Sequence, residues 1–427
     1  MTALGPALAS SSTTWVGWPG GAHDEAPPEK SRSIRLVPVS ISQDEEERYY
    51  AGFSNGALWP LYHDAIVTPT FQTDWWDAYV EVNQRFADAA SAAAVAGATV
   101  WVHDYQLQLV PQMLRRQRPD LRIGFFLHIP FPAQELFLRL PWRSALIEGL
   151  LGADVVGFQT AVGAQNFRAV AGRLLGCTLD GATIDQGGRR VLADSFPIGI
   201  DAAAVSTMAR APATIARAAQ IRHQLGDPKT VLLGVDRLDY TKGINARLQA
   251  LEELLREQRL DPGQTVMVQI AQPSRADAPG YADIRREVNE RVGRINGAYS
   301  SLHKAVVKYL HHGQSTRELI ALYTIADVML VTPFRDGMNL VAKEYVAART
   351  DHTGLLILSE FAGAAHQLKD AVHVNPFDIE GLKDAIDAAV HRPPPDAAAR
   401  MARMFAQVHD HDATEWATGF LAALDRA

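Results

Sequence analysis

The chain has almost no cysteine: Cys177 is the sole thiol in 427 residues. One thiol forms no intramolecular disulfide and no cysteine-based metal cluster, which fits a reducing cytoplasm. Cys177 itself is expected as a small core residue. Charge of one sign is also lacking. Lys and Arg number 41 against 48 Asp and Glu, a net charge of −7. That balance argues against a nucleic-acid protein, which presents a basic face. No run approaches the roughly 18 uninterrupted apolar residues of a membrane span. The opening MTALGPALASSSTTW lacks the basic start and long apolar stretch of a secretory signal. No repeat of solenoid period is present. What remains is a globular composition, with 47% hydrophobic and 21% charged residues, and a length that suits two or three domains.

Short apolar runs alternate with helical patterns. Buried strands are expected at 98–103, 123–128, 153–158, 230–234, 265–270, 328–332 and 355–359. Helices are expected at 107–116, 142–151, 244–256 and 319–325. Continuous apolar strands separated by helices predict parallel sheets covered on both faces, with ligands beyond the carboxyl ends of the strands. A basic, Ala-rich region at 209–226 separates two strand sets, which places a domain boundary near residue 202. The polar stretch 180–190 reads as a surface hairpin or loop, and the Pro-Pro-Pro run within 391–398 breaks the chain before its last helices.

The densest cluster is VTPFRDGMNLVAKEY at 331–345. A strand ends, Pro333 and Gly337 shape a turn, and a helix begins. The amides of Gly337, Met338, Asn339 and Leu340 then stand at a helix N-terminus, where a diphosphate is favoured. Glu344, one turn on, is placed to accept hydrogen bonds from two ribose hydroxyls. The plain alternative makes Asp336 an N-cap and Glu344 a solvated charge. The second cluster is GVDRLDYTKG at 234–243. Arg237 and Lys242, five apart across a turn, can hold one phosphate jointly; the alternative is a salt bridge with Asp236 or Asp239. Arg275, after a third strand, is placed to reach an anion, although a loop Arg is usually solvated. In the first half, VHDY and LHIPFP end successive strands and put Asp104 and His128 at corresponding positions. That paired placement favours function over a satisfied core histidine.

These segments resemble the trehalose-6-phosphate synthases of glycosyltransferase family 20. The matching stretches are WVGWPG, FSNGALWP, VHDYQLQLVP, IGFFLHIPFP, FPIGID, DRLDYTKG, QPSR, GRING, RDGMNLVAKEY, LSEFAGAA and VNPFD, in family order. The resemblance implies an α/β GT-B fold, two facing Rossmann-like domains with the active site in the cleft. Residues 1–202 would form the acceptor domain and 203–409 the nucleotide-sugar domain, with a terminal helix at 410–427 packing back on the first. It implies a retaining transfer of glucose from UDP- or GDP-glucose to glucose 6-phosphate. In that reaction Arg237 and Lys242 bind the diphosphate, Glu344 the ribose, and the amides after Asp336 phosphate and sugar. Asp336 and His128 contact the transferred glucose, Asp104 the acceptor sugar near its reacting hydroxyl. Arg275 and Trp76 hold glucose 6-phosphate, and Trp18 lies by the cleft. The nucleotide sugar is a co-substrate; no cofactor or metal is implied. A separate trehalose-phosphate phosphatase is expected downstream, with no nucleic-acid or membrane partner, and homo-oligomerisation is open.

Two departures stand out. Family members carry a strand, an Asn-Arg pair and a Gly-Gly loop upstream of the segment that here begins TALGPAL. The chain starts at Met1 where those should have passed, so a truncated, nearly inactive synthase whose first sheet has lost a strand is expected. Second, Asp64 stands where many members have a phosphate-binding Tyr. Asp64 would repel a phosphate unless it points elsewhere, and it could equally pair with a sugar hydroxyl or an Arg. The competing readings are a related transferase with another phosphorylated acceptor and a non-catalytic paralogue that binds sugar nucleotide.

Overall fold

Aliphatic and β-branched runs such as VVGF and TVLLG lack the alternation of a half-wet sheet, and they fold as parallel strands covered on both faces. The computed structural model describes residues 13–20, 34–274 and 280–427. The chain divides into two compact units. One runs to Ile198 and takes in Trp416–Ala427; the other is Gly199–Glu415.

In the first unit β1 (Thr13–Gly17) and β2 (Ile34–Pro38) pair in parallel as a two-stranded sheet. A six-stranded sheet follows from β3 (Thr99–His103), β4 (Arg122–Phe126), β5 (Val155–Phe158), β6 (Thr178–Asp180), β7 (Thr183–Gln186) and β8 (Arg189–Ser195). Their order is β3-β4-β5-β8-β7-β6; β7 pairs antiparallel with both β8 and β6, so it alone runs against the rest. The stretch 180–190 thus supplies two hairpin turns at the sheet margin. Cys177 is half-buried there rather than in the core.

The aromatic face of the last helix, Ala413–Arg426, explains two strand glycines. Phe420 stacks on Trp101 at 4.4 Å, and Trp416 meets Phe126 edge-on at 5.1 Å. A Cβ at Gly124 or Gly157 would come within 2.6 and 2.7 Å of the Phe420 ring. The segment Glu46–Leu58 is a π-helix, an unusual length for that form. Its Gly52 and Gly56 lie against the Trp75 ring, where a Cβ would stand 2.7 and 2.9 Å away.

The second unit holds β9 (Thr230–Arg237), β10 (Thr265–Gln272), β11 (Val307–Leu310), β12 (Val328–Val331), β13 (Leu355–Ser359) and β14 (Val372–Val374). All pair in parallel in the order β11-β10-β9-β12-β13-β14. The region 209–226 becomes the end of the helix Ala202–Arg210 and the helix Pro212–Gln224. From β9 the sheet grows outward one way through β10 and β11, and the other way from β12 through β14. The reversal makes the carboxyl ends of β9 and β12 the switch point at which such sheets bind ligands. Among the described residues no helix is long and apolar enough to cross a membrane.

Candidate active site

The loops that leave β9 and β12 meet at this switch point. Asp239 caps the short turn Tyr240–Lys242: its carboxylate accepts from the Thr241 amide at 2.9 Å, and the Tyr281 hydroxyl donates to it at 2.8 Å. Gly243 then enters the helix Ile244–Arg256 with φ +64°, and a Cβ there would lie 2.0 Å from the Thr332 carbonyl oxygen. Only glycine accepts both that dihedral and that approach. The Phe334 amide donates to the Thr241 carbonyl at 2.8 Å, which ties the second loop to the first.

The side chains close the junction. Lys242 Nζ lies 2.6 Å from Asp336 Oδ2, and the Asn339 side-chain amide donates to the same oxygen at 3.0 Å. Lys242 is 8% exposed, so this pair is much less screened than a surface one. Arg237 is the last residue of β9 and is exposed. Of the two aspartates weighed as salt-bridge partners, Asp236 pairs with Arg247 at 2.7 Å and Asp239 accepts from Thr241 and Tyr281, while Lys242 pairs with Asp336.

The N-cap of the helix Leu340–Ala348 is Asn339, not Asp336. Asn339 adopts φ +76°, and its Oδ1 accepts from the Ala342 amide at 3.2 Å. Asp336 is thereby left to face Lys242. The amides of Gly337, Met338, Asn339 and Leu340 stand ahead of the capped one, at the positive end of the helix dipole. Glu344 is not simply solvated: the Tyr323 hydroxyl donates to Oε2 at 3.0 Å, and burial pushes the carboxyl above its ordinary range. The segment LSEFAGAA at 358–365, which carries no charged group other than Glu360, braces this loop. Asp336 N donates to Phe361 O at 3.2 Å, Gly363 N to Asp336 O at 3.2 Å, and Ala364 N to Met338 O at 2.8 Å.

In the first unit Asp104 follows β3 with φ +74°; its amide donates to Phe126 O at 2.8 Å and its Oδ1 accepts from the His128 amide at 3.2 Å. Asp104 and His128 are therefore joined. His128 Nε2 also lies 3.0 Å from His103 Nδ1. Burial pushes both imidazoles below the usual histidine range, His103 strongly; Asp104 opposes the effect at His128. His103 was visible in the VHDY motif, beside the residue singled out.

Trp76, on the helix Thr73–Ala93, stacks on Trp142 at 5.1 Å and 8° and meets Phe53 edge-on at 5.3 Å. Trp142 carried no signal beyond its place in an apolar pattern. Trp18 meets Tyr50 edge-on at 5.4 Å. Asp64 is exposed with φ +58°, just after the buried Tyr62 and His63. Arg275 lies outside the described residues. Among the described residues no three His, Cys, Asp or Glu side chains are grouped to hold a metal ion.

This arrangement offers a cation, helix-end amides and a carboxylate at one switch point, the set needed to hold an anion beside a hydroxylated group. The family model for glycosyltransferase family 20 matches residues 1–426. The chain is 52% identical over 439 residues to a trehalose-6-phosphate synthase of Mycolicibacterium gilvum, covering 99% of this chain and 87% of that one. A second such synthase, from Mycolicibacterium smegmatis, is 52% identical over 433 residues, covering 99% and 86%. The chain also superposes on an alpha,alpha-trehalose-phosphate synthase (UDP-forming) from Burkholderia xenovorans in complex with glucose-6-phosphate. There the TM-score is 0.93 and the identity 34%, over 99% of this chain and 95% of that one. A trehalose-6-phosphate structure from E. coli bound with UDP-2-fluoro glucose matches at TM-score 0.93 and 35% identity, over 100% and 95%. The fold is GT-B, built from two Rossmann-like units.

Proposed function

The chain belongs to glycosyltransferase family 20 and is an enzyme, and from that premise we propose that it transfers glucose from a nucleotide-glucose to glucose 6-phosphate, giving trehalose 6-phosphate. The observation that carries the proposal is the convergence of Lys242, Asp336 and the start of the helix Leu340–Ala348 at the β9/β12 switch point.

Arg237 and Lys242 neutralise the donor diphosphate, aided by the amides of Gly337, Met338, Asn339 and Leu340 at the helix end. Lys242 then serves two anions, Asp336 and the incoming phosphate. Glu344 takes the ribose hydroxyls, a role supported by its depth and by the Tyr323 hydroxyl that fixes its orientation. Asp336 and, on the first unit, His128 are assigned to hydroxyls of the transferred glucose. Asp104 is assigned to the acceptor sugar near the reacting hydroxyl, with Trp76, Trp18 and Arg275 at the acceptor side. The anomeric carbon keeps its configuration because the new C–O bond forms on the face from which the diphosphate leaves. A departing phosphate oxygen takes the acceptor hydroxyl's proton. The sugar becomes oxocarbenium-like in between, so the chain contributes by positioning and by fixed charges. Protein cations at the diphosphate make a metal unnecessary on this reading.

The test is formation of trehalose 6-phosphate from glucose 6-phosphate with UDP-glucose and with GDP-glucose, followed by mass spectrometry. Product with either donor is expected. Nucleotide binding without product from either donor would overturn the catalytic reading in favour of a sugar-nucleotide-binding protein.

A further inference from the structure

The ladder between the two switch-point strands is short. β12 pairs with β9 only at Val328↔Leu232 and Met329↔Leu233. Beyond that register β9 continues to Arg237 alongside β10, where Asp236 faces Ala271 and Arg237 faces Gln272. The strands therefore part from Gly234 and Leu330 onward, ahead of their loops, and backbone groups of the splayed ends need other partners.

Arg247 reaches one of them, the Leu330 carbonyl, and ties the surrounding side chains and turn to it. It lies on the first turn of the helix Ile244–Arg256, and its side chain is wholly buried. Nη1 donates to the Leu330 carbonyl at 3.1 Å and to Asp236 Oδ2 at 2.7 Å, with Gln269 Oε1 at 3.5 Å. Nε donates to Thr332 Oγ1 at 3.1 Å, and Nη2 to the Lys242 carbonyl at 2.7 Å. One planar guanidinium thus binds β9, the end of β12, the first residue of the β12 loop and the turn that carries Lys242. The space is made by Gly234: a Cβ there would lie 2.5 Å from Nη1 and 2.4 Å from Gln269 Oε1. A lysine offers a single point charge and could not reach these directions together.

We infer that Arg247 is a positioning residue for donor binding: it holds the Lys242 turn and the Thr332–Asp336 loop at a fixed spacing from beneath. The inference rests on the assignment of Lys242 to the donor diphosphate. Neither Arg247 nor Asp236 touches the donor on this account. Their pair is a keystone whose geometry, not whose charge, reaches the site.

The experiment uses the full chain and UDP as probe, with calorimetric binding, thermal melting and the kcat and KM for UDP-glucose. The double variant Asp236→Leu with Arg247→Met replaces the buried pair by apolar groups of similar volume, a change that proteins often tolerate. It should melt near the wild-type temperature yet bind UDP at least about tenfold more weakly, with kcat lowered as well. Thr332→Val removes one anchor from the β12 loop and should lower kcat more than it raises KM. It decides the matter should the double variant not fold. Arg247→Lys should recover less than half of the lost affinity on a logarithmic scale. Lys242→Ala is the control. If it weakens UDP binding while a folded double variant, or Thr332→Val in its place, keeps Kd and kcat within about twofold of wild type, the donor site stands and the role of Arg247 is refuted. If Lys242→Ala leaves UDP binding unchanged, the donor-site assignment falls and this inference falls with it.

Discussion

Replacing Gly363 by alanine tests whether the loop that carries Asp336 is held by the 361–364 segment. Gly363 has no unusual dihedral, so its need for glycine is one of space alone. An ideal Cβ there would stand 1.9 Å from Gly337 O, 2.9 Å from Gly337 C and 3.1 Å from Met338 Cα. All three are backbone atoms, and none can swing aside as a side-chain end can. Ordinary contact needs the two segments to part by more than about 1 Å. Such a shift stretches three hydrogen bonds, now at 3.2, 3.2 and 2.8 Å. At about 1 kcal/mol net each, the loss is about 3 kcal/mol. In a unit of this size that corresponds to a fall in Tm of roughly 6–12 °C. The same displacement carries the Asp336 carboxylate and the amides of residues 337–340, and misplacement by about 1 Å can cost on the order of a hundredfold in kcat/KM.

The assay is paired melting and product formation, with Gly293→Ala and Gly419→Ala as controls. A Cβ at either control position meets nothing within 4 Å, and both lie in helices. Each should be neutral or stabilising by up to about 1 kcal/mol. A Gly363→Ala protein that melts within about 2 °C of wild type would refute the steric argument. One that melts lower but keeps kcat/KM within about threefold would show that the brace supports the fold without setting the site.

Four further outcomes are expected. Arg237→Ala should weaken UDP binding by about 1.5–3 kcal/mol, the scale of a hydrogen bond to a charged group; unchanged calorimetric affinity counts against its diphosphate role. Asp336→Asn and His128→Ala should each lower kcat far more than they change donor KM, and normal kcat with only a raised KM would exclude a transition-state role. Folded-state His103 and His128 sit below the usual value of about 6.5, so the unfolded chain takes up protons first as pH falls. Stability is therefore present above pH ~6.5 and lost as pH drops below it, with a slope of order 1 kcal/mol per pH unit per imidazole. His103→Phe should flatten that slope in denaturant melts, and an unchanged slope contradicts the burial argument. Product formation should survive exhaustive treatment with a chelator; activity restored only by added divalent cation would mean that protein cations do not suffice at the diphosphate.

The strand centres were legible in the sequence because their apolar runs are continuous. At β9 and β11 a charge interrupted the run. The expected strand 230–234 ends before Val235, yet β9 runs on to Arg237 with Asp236 buried. An aspartate looks like the end of a buried strand unless its partner is known, and Arg247 lies one helix turn into the next element. β11 escaped because Lys308 and half-buried neighbours interrupt VKYL, and β14 because three residues make no pattern. In the π-helical stretch the spacing of Gly52 and Gly56 seats Trp75, whose ring supplies the contact surface that the glycines lack.

The site was legible in a similar way, by position more than by pairing. Lys242 and Asp336 each follow a buried strand, and that alone marks them as groups at a ligand-facing edge. Nothing local says that they touch. Their contact depends on β12 inserting beside β9 rather than beyond β11, and strand order is a long-range property of the packed sheet. Once that order is given, much follows from small residues. Gly243 lets the turn pass under the Thr332 carbonyl, Gly234 admits the guanidinium of Arg247, and Gly363 lets the brace approach Gly337. Asn339, at positive φ, takes over the cap and leaves Asp336 facing the lysine. The sequence motif GVDRLDYTKG thus carries two kinds of information. Arg237 and Lys242 present charge to a ligand, while Gly234, Asp236 and Gly243 shape the ground on which that charge stands. The second kind is recognisable only when the atom that would collide, or the cation that would be left unpaired, can be named.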